Sequence, residues 1–204
     1  MNVKDVKGPY KKLDELVEKN NGILKTGDAL AIGVSKSVLG KYLKLREFER
    51  MAHGIYLSPD AWMDEMYILH LRSAQTVFSH DSALYLHDMT LRVPLKHTVT
   101  LMTGYNPSRL TAEGIKVYTV KKELYGLGIG EYPTMYGNMV RAYDPERTIC
   151  DILRSRSGIE IQTFEDALKM YFRRRGKNLH RLTAYAKAFH VDKMLTMYSR
   201  VLLP

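Results

Sequence analysis

The order of elements encoded in the first sixty residues constrains this chain more than any other feature. Tyr10 to Asn20 places Leu13, Leu16 and Val17 at three- and four-residue spacing among lysines and acids, which predicts an amphipathic helix, and Asn20-Asn21-Gly22 supplies its stop. Ile23 and Leu24 lead to Thr26, a capping hydroxyl for a short helix through Ile32, with Asp28 in the first turn where a carboxylate favours the helix dipole. Gly33 breaks that helix. Ser35 caps a third, running to about Glu47, whose apolar residues Val38, Leu39, Tyr42, Leu43 and Leu45 need one face. Phe48 to Met51 and Ile55 to Leu57 then pair as two short strands around Ala52-His53-Gly54, and Pro59 closes the unit.

Three helices followed by a hairpin predict a winged helix-turn-helix over residues 1–59. On the third helix Lys36, Ser37, Lys41 and Lys44 are left on or near the open face, and a face of small hydroxyls and lysines can lie in a major groove. Gly40 keeps part of that face low at a cost of about 1 kcal/mol in helix propensity. Ser35, Lys36, Ser37, Lys41 and Lys44 are therefore candidate DNA contacts, joined at the hairpin by Arg50 and His53, which can reach a phosphate or the minor groove. Taken alone, the helix reads equally well as the solvated lysine face of a three-helix bundle; the hairpin behind it favours DNA. His53 by itself is more often a turn residue than a contact.

Residues 60–204 form the second expected domain, a small mixed sheet between helices with a helical C-terminus, making the whole chain α+β. Ser58 or Asp60 caps a helix from Ala61 to about Ala74, and a brief strand or turn at Thr76–Ser79 precedes a helix from His80 to His87 capped by Ser79. His97–Met102 and Ile115–Val120 read as strands, separated by a loop with one helical turn, and Lys121–Leu127 as helical. The alternating glycines of Tyr125-Gly-Leu-Gly-Ile-Gly130 read as loop or edge residues. Thr134 to Tyr143 predicts two strands joined at Gly137-Asn138, and Asp144-Pro145 starts a helix with aspartate as cap and proline in the first turn. Thr163 with Asp166 makes a capping box for the next helix, whose stripe is Phe164, Ala167, Leu168, Tyr171 and Phe172. The last helices turn Leu179, Leu182, Tyr185, Ala186 and Phe189 inward.

Charge is unevenly divided along the chain. Residues 1–60 carry 11 Lys/Arg against 8 Asp/Glu, residues 61–168 carry 11 against 13, and residues 169–204 carry 9 against the single acid Asp192. Arg173, Arg174, Arg175, Lys177, Arg181, Lys187 and Lys193 thus form a second candidate surface, for nucleic acid or an acidic protein face. Enzymatic signals are poor: no zinc-protease, paired-cysteine, phosphate-loop or nucleophile-elbow motif is present, and no metal or cofactor is expected. His80, Asp81, His87 and Asp88 invite a metal reading in which the two histidines share a helix face, yet a third ligand such as Asp144 or Asp151 would have to come from elsewhere. Asp144, Glu146, Arg147 and Asp151, with an i,i+4 Arg–Asp pair, read as scaffolding. Cys150, the only cysteine, is expected in the core, and a single thiol with no membrane-length apolar run fits a cytoplasmic protein.

The chain resembles the AbiEi family, the antitoxin-regulators of bacterial abortive-infection (type IV) toxin–antitoxin systems. The likeness lies in the helix-turn-helix running into Met51-Ala-His-Gly-Ile-Tyr56, in Phe78-Ser-His-Asp-Ser-Ala-Leu-Tyr-Leu-His87, and in Val140-Arg-Ala-Tyr-Asp-Pro-Glu-Arg-Thr-Ile-Cys-Asp-Ile-Leu153, in that order. What the resemblance implies is a bifunctional, non-enzymatic protein. Its winged domain would bind repeats in its own promoter and repress the operon. Its second domain would counter a co-expressed nucleotidyltransferase-like toxin without a stable complex, and Glu146, Arg147, Thr148 and Asp151 would define that domain's fold. Two rival readings are an effector-responsive transcription factor and a metal-dependent nuclease or nucleotidyltransferase-like enzyme.

Overall fold

A computed structural model describes residues 3–202 of the chain, which divides into two compact units, residues 1–74 and 75–204. The first is built from α1 (Val3–Lys19), β1 (Ile23–Lys25), α2 (Thr26–Ala31), α3 (Lys36–Leu45), β2 (Glu49–Ala52), β3 (Ile55–Leu57) and α4 (Glu65–Arg72). This helix–strand–helix–helix–strand–strand order is that of a winged helix, with α1 starting earlier than its apolar spacing predicts and carrying Pro9 inside it. The three strands form one antiparallel sheet in the order β1-β3-β2. At the turn into β1, Gly22 adopts a φ of +83°, and a Cβ there would come within 2.2 Å of the Ala61 Cβ, so the turn has room only for glycine.

Successive residues of β1 point to opposite faces of the sheet. Leu24 enters a cluster with Leu13, Ala29, Val34, Leu39 and Tyr42, which joins α1, α2 and α3. Ile23 enters another with Ile55, Leu57 and Ile68, the last of which belongs to α4. The sheet therefore needs α4 to cover its second face, and this is why the first compact unit ends at Ala74 and not at the expected residue 59. The cap of α4 is Asp64, whose Oδ1 accepts from the Tyr67 N–H at 3.0 Å, in place of Ser58 or Asp60. Thr26 likewise opens α2 as its first residue instead of capping it.

The second unit holds a five-stranded mixed sheet in the order β6-β5-β4-β8-β7, comprising β4 (Val77–Phe78), β5 (Thr98–Met102), β6 (Lys116–Val120), β7 (Ile129–Pro133) and β8 (Met139–Tyr143). Pairs β4–β8 and β5–β6 are parallel; β4–β5 and β7–β8 are antiparallel. Between strands lie α5 (His80–Leu86), α6 (Ser108–Ala112) and α7 (Lys122–Tyr125); after the sheet come α8 (Pro145–Arg154), α9 (Ile161–Arg173), α10 (Leu179–Ala188) and α11 (Asp192–Leu202). The core gathers Leu84 of α5, Ile149, Cys150, Ile152 and Leu153 of α8, and the apolar stripes of α9, α10 and α11. The hairpin strand expected over Thr134–Tyr136 is instead β7, so Ile129 and Gly130 lie in an edge strand and residues 134–138 form the turn. Leu179 is 40% exposed rather than inward, because Asn178 caps α10 and leaves it in the solvent-facing first turn. At α9 the predicted capping box is absent: the Thr163 hydroxyl donates to Glu160 and Asp166 accepts from Gln162.

Candidate functional site

Helix α3 opens at Ser35, whose Oγ accepts from the Val38 N–H at 3.3 Å, so that hydroxyl is occupied by the cap. The helix buries Leu39 and Tyr42, half-buries Val38 and Leu43, and leaves Leu45 exposed in its last turn rather than on the apolar face. Its back is fixed to α1, since the Tyr42 hydroxyl donates to Asp14 Oδ1 at 2.8 Å and the Arg46 guanidinium pairs with the same carboxylate at 3.3 Å. Ser37, Gly40, Lys41 and Lys44 then recur at three- and four-residue intervals as one exposed stripe, with Lys36 also exposed beside it. A Cβ added at Gly40 would meet nothing within 4 Å, so neither packing nor backbone conformation demands glycine there.

Strands β2 and β3 form the wing. Their register slips between Arg50 and Ala52, a bulge that leaves Met51 without a partner in the ladder and re-aims its neighbours. Arg50 is exposed; its Nε donates to the Ala52 carbonyl at 3.4 Å and its Nη2 to His53 Nδ1 at 3.3 Å. The hairpin is anchored to the start of α2 by the Thr26 N–H, which donates to the Gly54 carbonyl at 2.9 Å. All seven residues read as DNA contacts thus lie on the first unit, six with unengaged or outward polar groups and Ser35 as the cap that starts the helix.

The C-terminal basic residues are less uniform than their sequence. Arg173, Arg175, Lys187 and Lys193 are exposed, while Arg174 and Lys177 are half-buried and the Lys177 ammonium donates to the Arg174 carbonyl at 3.3 Å. Arg181 pairs with Asp144 at 3.5 Å. That pairing is one half of an elaborate start to α8: Asp144 Oδ1 accepts from the Arg147 N–H at 2.7 Å, and its Oδ2 from the Tyr185 hydroxyl at 3.3 Å. Burial pushes the Asp144 carboxyl up, and the Arg147 N–H pulls it back.

Arg147 is completely buried. Its Nε donates to Asp151 Oδ2 at 3.1 Å, its Nη1 donates to the carbonyls of Leu124 and Leu127 at 2.7 and 2.9 Å, and its guanidinium lies 4.0 Å from the ring centroids of both Tyr143 and Phe189. Glu146 turns the other way, accepting from the Tyr171 hydroxyl at 3.1 Å and the Asn178 N–H at 2.9 Å. The cluster ties α7, α8, α9 and α10 together, and its polar atoms point inward rather than at a substrate.

His80, the first residue of α5, and His87, just beyond its last, have different partners. His80 sits at a φ of +47°, its ring stacked on Tyr118 with centroids 3.5 Å apart, while His87 Nε2 meets the Tyr143 carbonyl at 2.6 Å. The Thr100 hydroxyl donates to Ser79 Oγ at 2.9 Å, Ser79 Oγ lies 3.0 Å from His80 Nδ1, and His80 Nε2 lies 3.2 Å from Ser155 Oγ. A proton chain running Thr100 to Ser79 to His80 to Ser155 needs a neutral ring, in keeping with burial and nearby cations holding His80 well below the usual histidine range. Ser79 consequently makes no cap hydrogen bond to α5. Among the described residues no group of three His, Cys, Asp or Glu side chains is placed to hold a metal ion. One opening was invisible to sequence reasoning: a cavity of about 380 Å³ beside the loop 90–96, lined by Asp81, Arg92, Leu95, Lys96, Lys116 and Glu160 among others. Its walls come from four separated segments, so no local motif announces it.

The fold has a known counterpart. The chain is similar to the Rv2827c protein of Mycobacterium tuberculosis, known from a crystal structure, over 91% of this chain and 78% of that one, with a TM-score of 0.51 and 12% sequence identity. At that identity the likeness concerns the fold alone. No family model matches the chain, and no curated protein matches it in sequence. Among the described residues no helix is long and apolar enough to cross a membrane.

Proposed function

We propose that this protein is a cytoplasmic repressor of its own operon and an antitoxin, binding repeats in promoter DNA through the winged unit and antagonising a co-expressed nucleotidyltransferase-like toxin through residues 75–204, without chemistry of its own. The observation that carries the DNA half is the uncovered stripe Ser37-Gly40-Lys41-Lys44 on a helix whose opposite face is clamped to α1. A rigid helix with small residues and lysines on its free face fits a major groove, where phosphate contacts supply affinity and the low positions allow close approach. The antitoxin half rests on the family resemblance, and a scaffold whose buried charges face inward suits a binding domain better than a catalytic one.

The test is titration of a duplex spanning the stretch upstream of the protein's own reading frame, at several salt concentrations. Lys41→Ala and Lys44→Ala should each weaken binding and flatten the salt dependence by about 0.9 in logarithmic slope for each phosphate left unneutralised. Wild-type slopes in both variants would remove α3 from the interface. The cavity beside the loop 90–96 favours one second reading, a small effector that releases DNA; about 380 Å³ falls within the range of small-molecule sites. A metabolite that weakens duplex binding and protects residues 90–96 from proteolysis would select it.

A further inference from the structure

We infer that His53 is a positioning residue that holds the Arg50 guanidinium in one orientation for contact with DNA; the inference rests on the DNA-binding reading above and deepens it. Three features of the wing converge on Arg50. The bulge at Met51 breaks the ladder beside it, the Ala52 carbonyl takes its Nε–H, and His53 Nδ1 lies 3.3 Å from Nη2. An arginine has five N–H groups and no acceptor, so the ring nitrogen must accept, which fixes His53 as the neutral tautomer with its proton on Nε2. Two of the five donors are thereby spent on the wing itself. The three left over, two on Nη1 and one on Nη2, stay on an exposed side chain.

The consequence follows from the entropy of a long side chain. A free arginine on an exposed hairpin samples many rotamers and must lose that freedom when it binds. An arginine already held at two points in the fork geometry that suits a phosphate or a base edge loses less. His53 and the Ala52 carbonyl act as the second layer that aims a contact residue. The wing tip is itself held, because the Gly54 carbonyl is tied to Thr26 at the start of α2. His53 thus has a role beyond turn formation, one that does not require it to touch nucleic acid.

A double-mutant cycle on the full chain tests it, with the upstream duplex as probe and the salt slope and thermal midpoint measured alongside affinity. Arg50→Ala should weaken binding and reduce the slope by about 0.9, the value for a single phosphate. His53→Ala should weaken binding by about three- to tenfold, the effect of removing one modest hydrogen bond, with slope and thermal midpoint unchanged, since the charge of Arg50 remains. His53→Gln, which keeps an acceptor, should recover most of that affinity, and Arg50→Ala/His53→Ala should bind no worse than Arg50→Ala. Additive effects in the cycle, or wild-type affinity for His53→Ala, would overturn the positioning role while leaving the helix contacts standing. Failure of the wild-type protein to bind the duplex at all would instead overturn the DNA-binding reading, and this inference with it.

Discussion

Arg147 is where a single residue does most to define the second unit. A charged side chain with no exposure is tolerated when its charge is opposed and most of its donors are met: here Asp151 takes Nε, two carbonyls take Nη1, and the faces of Tyr143 and Phe189 flank the guanidinium, while Nη2 has no hydrogen-bond partner. The space around it is equally specified: Gly128 adopts a φ of +79°, and a Cβ there would fall 2.7 Å from the Arg147 Cβ. Removing one partner of such a pair leaves the other buried and uncompensated. Arg147→Ala should therefore destabilise the protein by about 3–5 kcal/mol, whereas Arg147→Met/Asp151→Leu, which removes both charges and restores bulk, should cost much less. Chemical denaturation of the three proteins checks this, and a double variant as unstable as Arg147→Ala would show that packing of the guanidinium, not charge pairing, is what matters. The i,i+4 spacing that pairs Arg147 with Asp151 was readable in the sequence. The carbonyls of Leu124 and Leu127 and the ring of Phe189 were not, since they arrive from elements that only the tertiary fold brings together.

At the scale of elements, legibility followed how local the determining interactions are. The third helix and α8 match their predicted starts because cap and first turn lie within four residues: Ser35 to Val38, and Asp144 to Arg147. Ser79 has the same credentials as a cap but is taken instead by Thr100 and His80, partners contributed by a strand and by an unusual backbone conformation. Strand β7 escaped because its alternating pattern is interrupted by Gly130 and its place in the sheet comes from pairing with β8. Within α3, Gly40 is the residue that local rules least explain. It carries a negative φ, has open space where a Cβ would sit, and weakens the helix it occupies. Gly40→Ala should thus stabilise the protein by roughly 0.5–1 kcal/mol. If the stripe it belongs to lies against DNA, the added methyl should at the same time weaken duplex binding severalfold. Higher stability with unchanged binding would move the interface away from this stripe.

At the scale of the whole molecule, the sequence boundary and the structural boundary differ by one helix, and that helix decides what can be cut apart. Pro59 ends the wing's hairpin, which is the local signal. The second face of the sheet, however, is covered by α4, through Ile68 against Ile23, Ile55 and Leu57. A chain of residues 1–59 leaves that apolar face open, and one of residues 61–204 carries Ile68 without the Ile23 strand it packs against. Residues 1–74 and 75–204 should accordingly each unfold cooperatively, and residues 1–59 should melt at a lower temperature than 1–74. The proposed division of labour is then tested on fragments that fold. Expressed beside the neighbouring toxin, residues 75–204 should restore growth and fail to retard the upstream duplex, whereas residues 1–74 should do the reverse. Rescue that demands both units, with 75–204 shown by circular dichroism to be folded, would mean that the two activities are not separable. The antagonism would then involve the first unit as well, as repression of the toxin gene would, and not neutralisation of its product by residues 75–204 alone.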